Sequence, residues 1–463
     1  MFIHSRLATR LSSILPGILL VLLTACSATI GSSSQNPATP TAGSTSTPAA
    51  GTSTPTTVQM PATQTACPVA NTARAEVMRP LALGSHANLV YIYNEVPRNT
   101  STAFGHLRRY DATTGQKVDI VTSGIQILQA QVSNDGQWVL FLSQPDPRGG
   151  SAVVMLQLVR MDGQGLQTLL CLPYKAANGG PLGKPSFQWS VDEQSILLSN
   201  ATMDQATNNA TSTITLLQTA TGTLKSLFVD KADNLYFYSI VTWLDNTYAY
   251  IVKQGLEGPT PPETVFLLNT AKATVARPGL VTILTSTTRF SNNSLDSSFD
   301  GTQLYSSYCL QAANPFSTNI QVGPAMGGAR HTIFQQQPTD CVQVLRVVKP
   351  DTLLLLVVVS QPGGGGSMQV WTMSLPGATP HTLTTLTSGL PGGSDQSYAL
   401  NQTSQNPWSN VSRDGTTYAL QEIDSATQTQ SILSASLAGG KPTTIATTNP
   451  GSSSVSLAGW TML

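Results

Sequence analysis

A short polar turn recurs along the chain at a nearly constant spacing, and this recurrence constrains the fold more than any other feature. Its clearest copy is Ser133-Asn134-Asp135-Gly136, which separates one strand-like segment from the next. An Asp-Gly turn needs a residue that tolerates a positive φ, and glycine adopts it without steric cost. The same turn returns at Asp300-Gly301 and Asp414-Gly415, and with the aspartate alone at Asp192, Asp245 and Asp351.

The six aspartates of this turn are separated by steps of 51 to 63 residues. A period of this size indicates a solenoid, a propeller or an array of repeated units. Each period also contains short apolar or alternating segments divided by polar turns, with no helical pattern between them. Four strands per repeat form the blade of a β-propeller. A row of hairpins in a β-sandwich is the alternative, but a sandwich gives no reason for a constant period.

The second strand of each repeat provides the blade count. Seven such strands are predicted to begin near residues 88, 137, 194, 247, 303, 352 and 417. The first repeat lacks an inner strand before residue 88, whereas the chain end, 455–461, resembles the inner strand at 185–190. We therefore predict an all-β, seven-bladed β-propeller, with six or eight blades as alternatives. Both ends of the chain pair in one blade, which places Trp460 beside residues 89–93.

The Ser-x-Asp-Gly turns are preceded by Trp-Ser and followed by a strand of the pattern Leu-x-x-x-Asp-x-x-Thr-Gly. Together these features resemble TolB-type or WD-like propeller repeats over roughly residues 75–463. Three of the seven turns keep Asp-Gly, three keep only the aspartate, and the first keeps neither. The resemblance implies a propeller similar to periplasmic and cell-surface proteins that work as interaction platforms.

The first 25 residues have the pattern of an export signal. Arg6 and Arg10 give a positive start, and the apolar run at 14–23 is too short to span a bilayer comfortably. The run ends in Leu23-Thr24-Ala25-Cys26, which resembles the lipobox of bacterial lipoproteins. An ordinary secretory cleavage site is the alternative. We expect lipidation of Cys26, export, and anchorage of the protein to the bacterial cell membrane or cell surface.

A polar segment separates this signal from the repeats. Residues 27–66 include no charged residue among 40, and Ser, Thr, Pro, Ala and Gly dominate. Such a composition cannot bury a core, so we predict a disordered tether. The expected domains are a lipoprotein signal peptide at 1–25, the lipidated cysteine and its Ser/Thr/Pro-rich linker at 26–66, and the propeller at 67–463.

The charge content of the chain argues against a nucleic-acid partner. Charged residues make up only 10% of the sequence, and the formal net charge is zero. Removal of the signal and its two arginines leaves a net charge of −2. Arg108-Arg109 is the only paired basic site of note, and we expect it at a solvated strand edge. No basic stripe is present to follow a phosphate backbone.

The sequence patterns of common catalytic and metal sites are missing. The four histidines beyond the signal have no metal-ligand spacing with another histidine or with a cysteine: His86, His106, His331 and His381. No Gly-x-Ser-x-Gly nucleophile elbow is present. The repeat aspartates occupy turn positions, where they form turns rather than act as catalysts. We therefore predict no catalytic, metal-binding or cofactor-binding residue and no cofactor.

Two functions remain open at this point. The first is a monomeric, non-catalytic propeller that binds a protein, a peptide or a glycan, with the polar connections at 201–212 and 388–404 as candidate surfaces. The second is a metal-dependent enzyme of the propeller lactonase or glycan-lyase kind. It would need three or four Glu, Asp, Asn or His side chains converging in the central channel.

The cysteines predict covalent links. Four lie beyond Cys26, and an even number in an exported protein favours disulfides. Cys309 follows the second strand of one repeat and Cys341 its last strand, so we predict that they pair. Cys67 and Cys171 then pair by elimination. Buried free thiols are the alternative.

Overall fold

The computed structural model describes residues 66–69, 80–95, 104–124, 126–144, 153–173, 179–181, 185–204, 209–232, 236–255, 264–285, 291–310, 317–336, 340–360, 366–377, 379–388, 396–401 and 408–463. All of them belong to one compact unit, Gln59–Leu463. Within this part of the chain the long regular elements are all strands. No helix there is long and apolar enough to cross a membrane.

The strands are short and follow one another closely. In chain order they are β1 (Ala87–Glu95), β2 (Phe104–Asp111), β3 (Lys117–Ser123), β4 (Gln126–Val132), β5 (Trp138–Gln144), β6 (Val153–Arg160), β7 (Gln167–Pro173), β8 (Gly179–Pro181), β9 (Ser186–Trp189), β10 (Ser195–Asp204), β11 (Asn209–Gln218), β12 (Leu224–Ala232), β13 (Tyr236–Trp243), β14 (Tyr248–Gly255), β15 (Thr264–Asn269), β16 (Val281–Thr285), β17 (Ser291–Ser297), β18 (Gln303–Leu310), β19 (Ser317–Pro324), β20 (His331–Gln336), β21 (Asp340–Lys349), β22 (Thr352–Ser360), β23 (Gly366–Ser374), β24 (His381–Ser388), β25 (Gln396–Ala399), β26 (Thr417–Asp424), β27 (Thr429–Ser436), β28 (Thr443–Thr447) and β29 (Ser453–Met462).

These strands form seven antiparallel sheets, which are the blades of the predicted propeller. The second strands begin at residues 87, 138, 195, 248, 303, 352 and 417, each within one residue of the predicted start. The third blade departs from the common pattern because its innermost strand is divided into β8 and β9, which both pair with β10. The second strands contain buried apolar runs because neighbouring blades cover both their faces. In β22, for example, the five residues 353–357 are all 0% exposed.

The last strand closes the ring, as predicted. β29 pairs antiparallel with β1, and Trp460 lies opposite Leu89. Trp460 is fully buried, in a core cluster that joins the first blade to the seventh. The first blade is therefore built from both ends of the domain, so its innermost and second strands have no turn between them. The closure removes two exposed sheet edges.

The recurring turn has one geometry in four blades. The serine hydroxyl donates to the carboxylate of the aspartate two residues later, at 2.5 to 2.7 Å, in Ser133–Asp135, Ser190–Asp192, Ser298–Asp300 and Ser412–Asp414. The next residue has a positive φ. It is glycine in three turns, with φ of 75°, 68° and 70°, but Glu193 in the third blade, with φ of 61°. The aspartates therefore hold the turns, as the sequence predicts.

Three of these turns are joined by contacts that we call the turn clamp, formed by Asn134, Glu193 and Arg413. The Glu193 carboxylate accepts a hydrogen bond from the backbone N–H of Asn134. Arg413, in the turn of the seventh blade, donates to the carbonyl of Asn134 at 2.6 Å. Because the first blade has no turn at this position, Arg413 of the seventh blade contacts the turn of the second blade directly. The clamp thus joins the blades on either side of the closure.

A disulfide ties the beginning of the domain to its second blade. Cys67 is bonded to Cys171 in β7, with their Cα atoms 5.7 Å apart. Cys341 is also disulfide-bonded. It follows β20, the last strand of the fifth blade, as the sequence predicts, and lies in β21, the innermost strand of the sixth. The side chain of Cys309 and all of Cys26 lie outside the described residues, so the Cys309–Cys341 pairing stays a prediction that non-reducing peptide mapping can check.

Candidate functional site

The innermost strands converge on a cavity of about 450 Å³, which we call the channel cavity. Strands of the first, second, third, fourth and seventh blades contribute to it. It is lined by Leu128, Gln129, Ala130, Ser186, Gln188, Ser239, Ile240, Ala399, Leu400, Asn401, Gln421, Ser456 and Leu457. A volume of this size is within the range of small-ligand sites.

The lining of the channel cavity is polar but uncharged. Seven of its residues carry a carboxamide or a hydroxyl group, six are apolar, and none is Asp, Glu, Lys, Arg or His. A charged ligand would lose its hydration there without meeting an opposite charge from the lining, and such desolvation is costly. The lining therefore favours an uncharged ligand that forms hydrogen bonds.

Several of the polar lining residues already serve the fold. Gln129 donates to the carbonyl of Phe187 at 3.0 Å and accepts from its N–H at 3.1 Å. Ser186 and Ser199 share a hydrogen bond of 2.7 Å between their hydroxyls. These side chains hold strands together, so they have little capacity left for a ligand.

Gln188 differs from Gln129 although both line the same cavity. The residue is 7% exposed, and no hydrogen bond joins its carboxamide, which lines the cavity, to another described residue. The hydroxyls of Ser239 and Ser456 are likewise unpartnered there. These three side chains are therefore the groups through which a ligand gains hydrogen bonds in the channel cavity.

The side of the channel next to the sixth blade is occupied by Arg346. Its guanidinium donates to the carbonyls of Asn401 at 2.8 Å and Leu345 at 2.7 Å, and to the hydroxyl of Ser294 at 3.3 Å. Burial lowers the pKa of Arg346, and the nearby carboxylate of Asp296, itself 0% exposed, opposes that effect. Arg346 therefore connects the fifth, sixth and seventh blades, and its charge is offset within the protein.

Side chains also cover part of the backbone that faces the channel. In four places a side chain of one innermost strand accepts a backbone N–H of the next, at 2.8 to 3.2 Å. The pairs are Gln129–Phe187, Gln131–Trp189, Ser294–Leu345 and Asp296–Val347. These bridges use backbone donors of β9 and β21 that would otherwise be free. Strand-like pairing of a ligand with those donors is thereby blocked.

The donor set of the cavity does not fit the metal site that the enzymatic alternative requires. No carboxylate or imidazole is among the lining residues. In the part of the chain that the structure describes, no three His, Cys, Asp or Glu side chains are placed to hold a metal ion. The repeat aspartates, which are the most regular acids of the sequence, are engaged in turns instead.

Strands account for most of the first polar segment expected to form a binding loop, 201–212, and for part of the second, 388–404. Residues 201–204 belong to β10 and 209–212 to β11, whereas 205–208 lie outside the described residues. In the second segment, 396–399 form β25. The expectation for 201–212 is wrong because its Asn and Thr residues extend the hairpin ladder, with Ala201 opposite Ser212. Sequence reasoning missed Gln188, since no pattern marks which side chains converge in a closed ring.

Arg108, the first of the paired arginines of the sequence, has an internal role. Arg108 donates to the Asp119 carboxylate at 2.6 Å and lies over the ring of Tyr93 at 4.7 Å. His106 approaches the other oxygen of Asp119 at 3.2 Å. Burial would raise the pKa of Asp119, but hydrogen bonds with His106 and Arg108 lower it to about 2. Arg108 is thus part of an ion pair within the first blade.

Seven blades surround a central channel, six with four strands and one whose innermost strand is divided into β8 and β9, and they define this protein as a β-propeller in which β29 pairs with β1. No family model matches the chain, and no curated protein is significantly similar to it in sequence.

Solved structures with a similar fold include TolB from Acinetobacter baumannii, at 13% identity and a TM-score of 0.39 over 67% of this chain and 66% of that one. A prolyl endopeptidase is 15% identical, with a TM-score of 0.47 over 80% of this chain and 49% of that one. Prolyl oligopeptidase B from Galerina marginata is 10% identical, with a TM-score of 0.46 over 78% and 52%. This chain thus spans about two thirds of the TolB chain and about half of each peptidase. At such identities a likeness concerns the fold alone.

Proposed function

We propose that this protein is a lipid-anchored, extracytoplasmic propeller that serves as a non-catalytic binding platform, with the channel cavity as its ligand site. The partner is a protein, a peptide or a glycan that presents an uncharged, hydrogen-bonding group to the cavity. The observation that carries the proposal is the carboxamide of Gln188, which lines a cavity without a charged lining residue and forms no hydrogen bond with another described residue. The lipobox-like ending at Cys26 and the uncharged segment after it support anchorage outside the cytoplasm.

The test of the ligand site uses the full-length protein in detergent micelles. Its thermal unfolding midpoint is measured with capped peptides and short saccharides, each supplied in neutral, acidic and basic versions. We expect neutral compounds to raise the midpoint and charged ones to leave it unchanged, because the cavity offers no counter-charge. The variant Ser239→Trp fills the cavity and should lose the response. A Thr221→Trp variant, with the new side chain on an exposed turn, should keep it.

Two results would contradict the proposal. Equal responses from the Ser239→Trp variant and the original protein would place the ligand site outside the cavity. Calcium-dependent turnover of lactone, ester or glycoside substrates would show that the protein is an enzyme and not a non-catalytic binding platform.

A further inference from the structure

We infer that the channel cavity takes a neutral saccharide rather than an extended peptide. The inference rests on the proposed function, because it names the chemical class of the ligand at the same site. Three observations support it: the bridged backbone of the innermost strands, the kinds of polar groups left free, and the mixture of polar and apolar lining.

The bridged backbone argues against an extended peptide. A peptide that binds along a strand gains its affinity from main-chain hydrogen bonds with free N–H and C=O groups. In β9 the N–H groups of Phe187 and Trp189 already donate to Gln129 and Gln131. In β21 those of Leu345 and Val347 donate to side chains of the fifth blade. A peptide in the channel therefore finds these donors occupied on two opposite parts of the ring.

The free polar groups fit hydroxyls. Gln188 offers one carbonyl oxygen and one NH₂ group, whereas Ser239 and Ser456 each offer a hydroxyl that donates and accepts. A sugar hydroxyl also donates and accepts, so it can satisfy any of these groups without a fixed direction. A peptide amide donates on one side and accepts on the other, which demands a particular register. The three groups lie on the third, fourth and first blades, and a ligand with hydroxyls around its edge can reach several of them at once.

The apolar lining fits the remaining surface of a sugar ring. Leu128, Ile240 and Leu457, from the second, fourth and first blades, line the same cavity as the free polar groups. A pyranose has C–H groups on its faces and hydroxyls on its rim, so apolar and polar lining are used together. The absence of charge from the lining excludes favourable pairing with uronic acids or amino sugars. Arg346 does not change this conclusion, since its guanidinium contacts Asn401, Leu345 and Ser294 within the protein.

The test compares matched probes by isothermal titration calorimetry with the full-length protein in detergent. The neutral saccharides are cellobiose, maltose and N,N′-diacetylchitobiose. The charged controls are cellobiuronic acid and the de-acetylated, cationic form of chitobiose. The peptide control is an acetylated and amidated Ser-Gly-Thr-Gly-Ser-Gly. We expect at least one neutral saccharide to bind, with its charged counterpart and the peptide giving no heat of binding.

Two glutamines of the same cavity supply matched variants. Gln188→Leu should weaken saccharide binding about three- to tenfold, the value of one or two neutral hydrogen bonds, without lowering the unfolding midpoint. Gln129→Leu should instead lower the midpoint, because it breaks the bridge to Phe187. A Gln188→Leu variant that binds saccharide like the original protein would overturn the assignment.

The remaining outcomes separate this inference from the proposed function. Binding of the peptide without binding of any neutral saccharide would overturn the inference and leave the platform intact. Binding of the charged sugars at the expense of the neutral ones would also overturn it. If neither saccharides nor peptides bind, the inference and the channel-cavity proposal both fail.

Discussion

Glu193 occupies the position that glycine fills in the other three well-formed turns, and its left-handed backbone is costly for a residue with a side chain. A non-glycine residue in this region loses roughly 1–2 kcal/mol. The structure offers a compensation, since the carboxylate accepts a hydrogen bond from Asn134 of the second blade. Burial raises the pKa of Glu193 to about 7, with Asp135 and Asp192 acting in the same direction. The Asn134 hydrogen bond and Arg413 lower it, but burial outweighs them.

This raised pKa predicts a stability that depends on pH. Between pH 4.5 and about 7 the folded protein holds a proton on Glu193 that the unfolded chain releases, so stability falls as the pH rises through this window. The change corresponds to roughly 3 kcal/mol at most. We expect a higher urea midpoint at pH 5.5 than at pH 8. The measured quantity is the difference from Glu193→Gln, which has no carboxyl group at this position. If both proteins show the same pH profile, Glu193 is not its source.

The turn clamp also makes a steric prediction, for which the chain provides its own control. Gly136 and Gly115 have similar φ values, 75° and 73°. A Cβ atom on Gly136 would lie 2.8 Å from Oγ1 of Thr461 and 2.9 Å from the Arg413 guanidinium, whereas one on Gly115 would meet nothing within 4 Å.

Gly115→Ala should therefore lower the free energy of unfolding by roughly 1 kcal/mol, because alanine must adopt the left-handed backbone conformation. Gly136→Ala should cost about 1–3 kcal/mol more, because Thr461 and Arg413 must move. Chemical denaturation of both variants measures the difference. Equal losses of unfolding free energy in the two variants would show that Thr461 and Arg413 move aside without a cost in stability.

At the level of strands, the period of the turns was enough to predict six blades and the starts of their second strands. The first blade, which lacks the turn, was predicted from the apolar segment that begins near residue 88. The second strands were predictable because they contain apolar runs and, in six blades, follow the recurring turn. The innermost strands were harder to identify. β9 and β25 contain only four residues each, and β8 and β9 together form one broken strand. The site was not predictable in detail, since Gln129 and Gln188 are the same residue type in the innermost strands of neighbouring blades, and only their neighbours in the closed ring distinguish them.

Because β29 closes the ring, we expect a synthetic peptide with the sequence of β29 to restore the stability of a chain that lacks this strand. A chain ending at residue 452 lacks the innermost strand of the first blade, exposing β1 and the cluster around Trp460. We expect it to unfold at a much lower temperature than the full chain. A synthetic peptide of residues 453–463 should restore the midpoint, because its pairing with β1 involves nine residue pairs. The same peptide with Trp460→Ala should restore it poorly. An unchanged midpoint in the truncated chain would contradict closure by β29.

At the scale of the whole molecule, the amino-terminal segment predicts where in the cell the protein is located. Cys26→Ser removes the thiol that we expect to be acylated, so the protein should move from the membrane fraction to the soluble extracytoplasmic fraction. Ser27→Ala, one residue away, is the control and should stay with the membrane. Cell fractionation with immunodetection distinguishes the two. Retention of the Cys26→Ser variant in the membrane at the original level would contradict lipid anchorage.

The disulfide between Cys67 and Cys171 has a mechanical consequence. A pulling force on the chain before Cys67 passes directly through the sulfur atoms to β7, the outermost strand of the second blade. The 104-residue separation between the two cysteines includes β1, the strand that pairs with β29. Those residues carry none of the load while the bond is intact. Tension from the amino-terminal side therefore acts on one blade edge, and the strand pair that holds the ring together is spared.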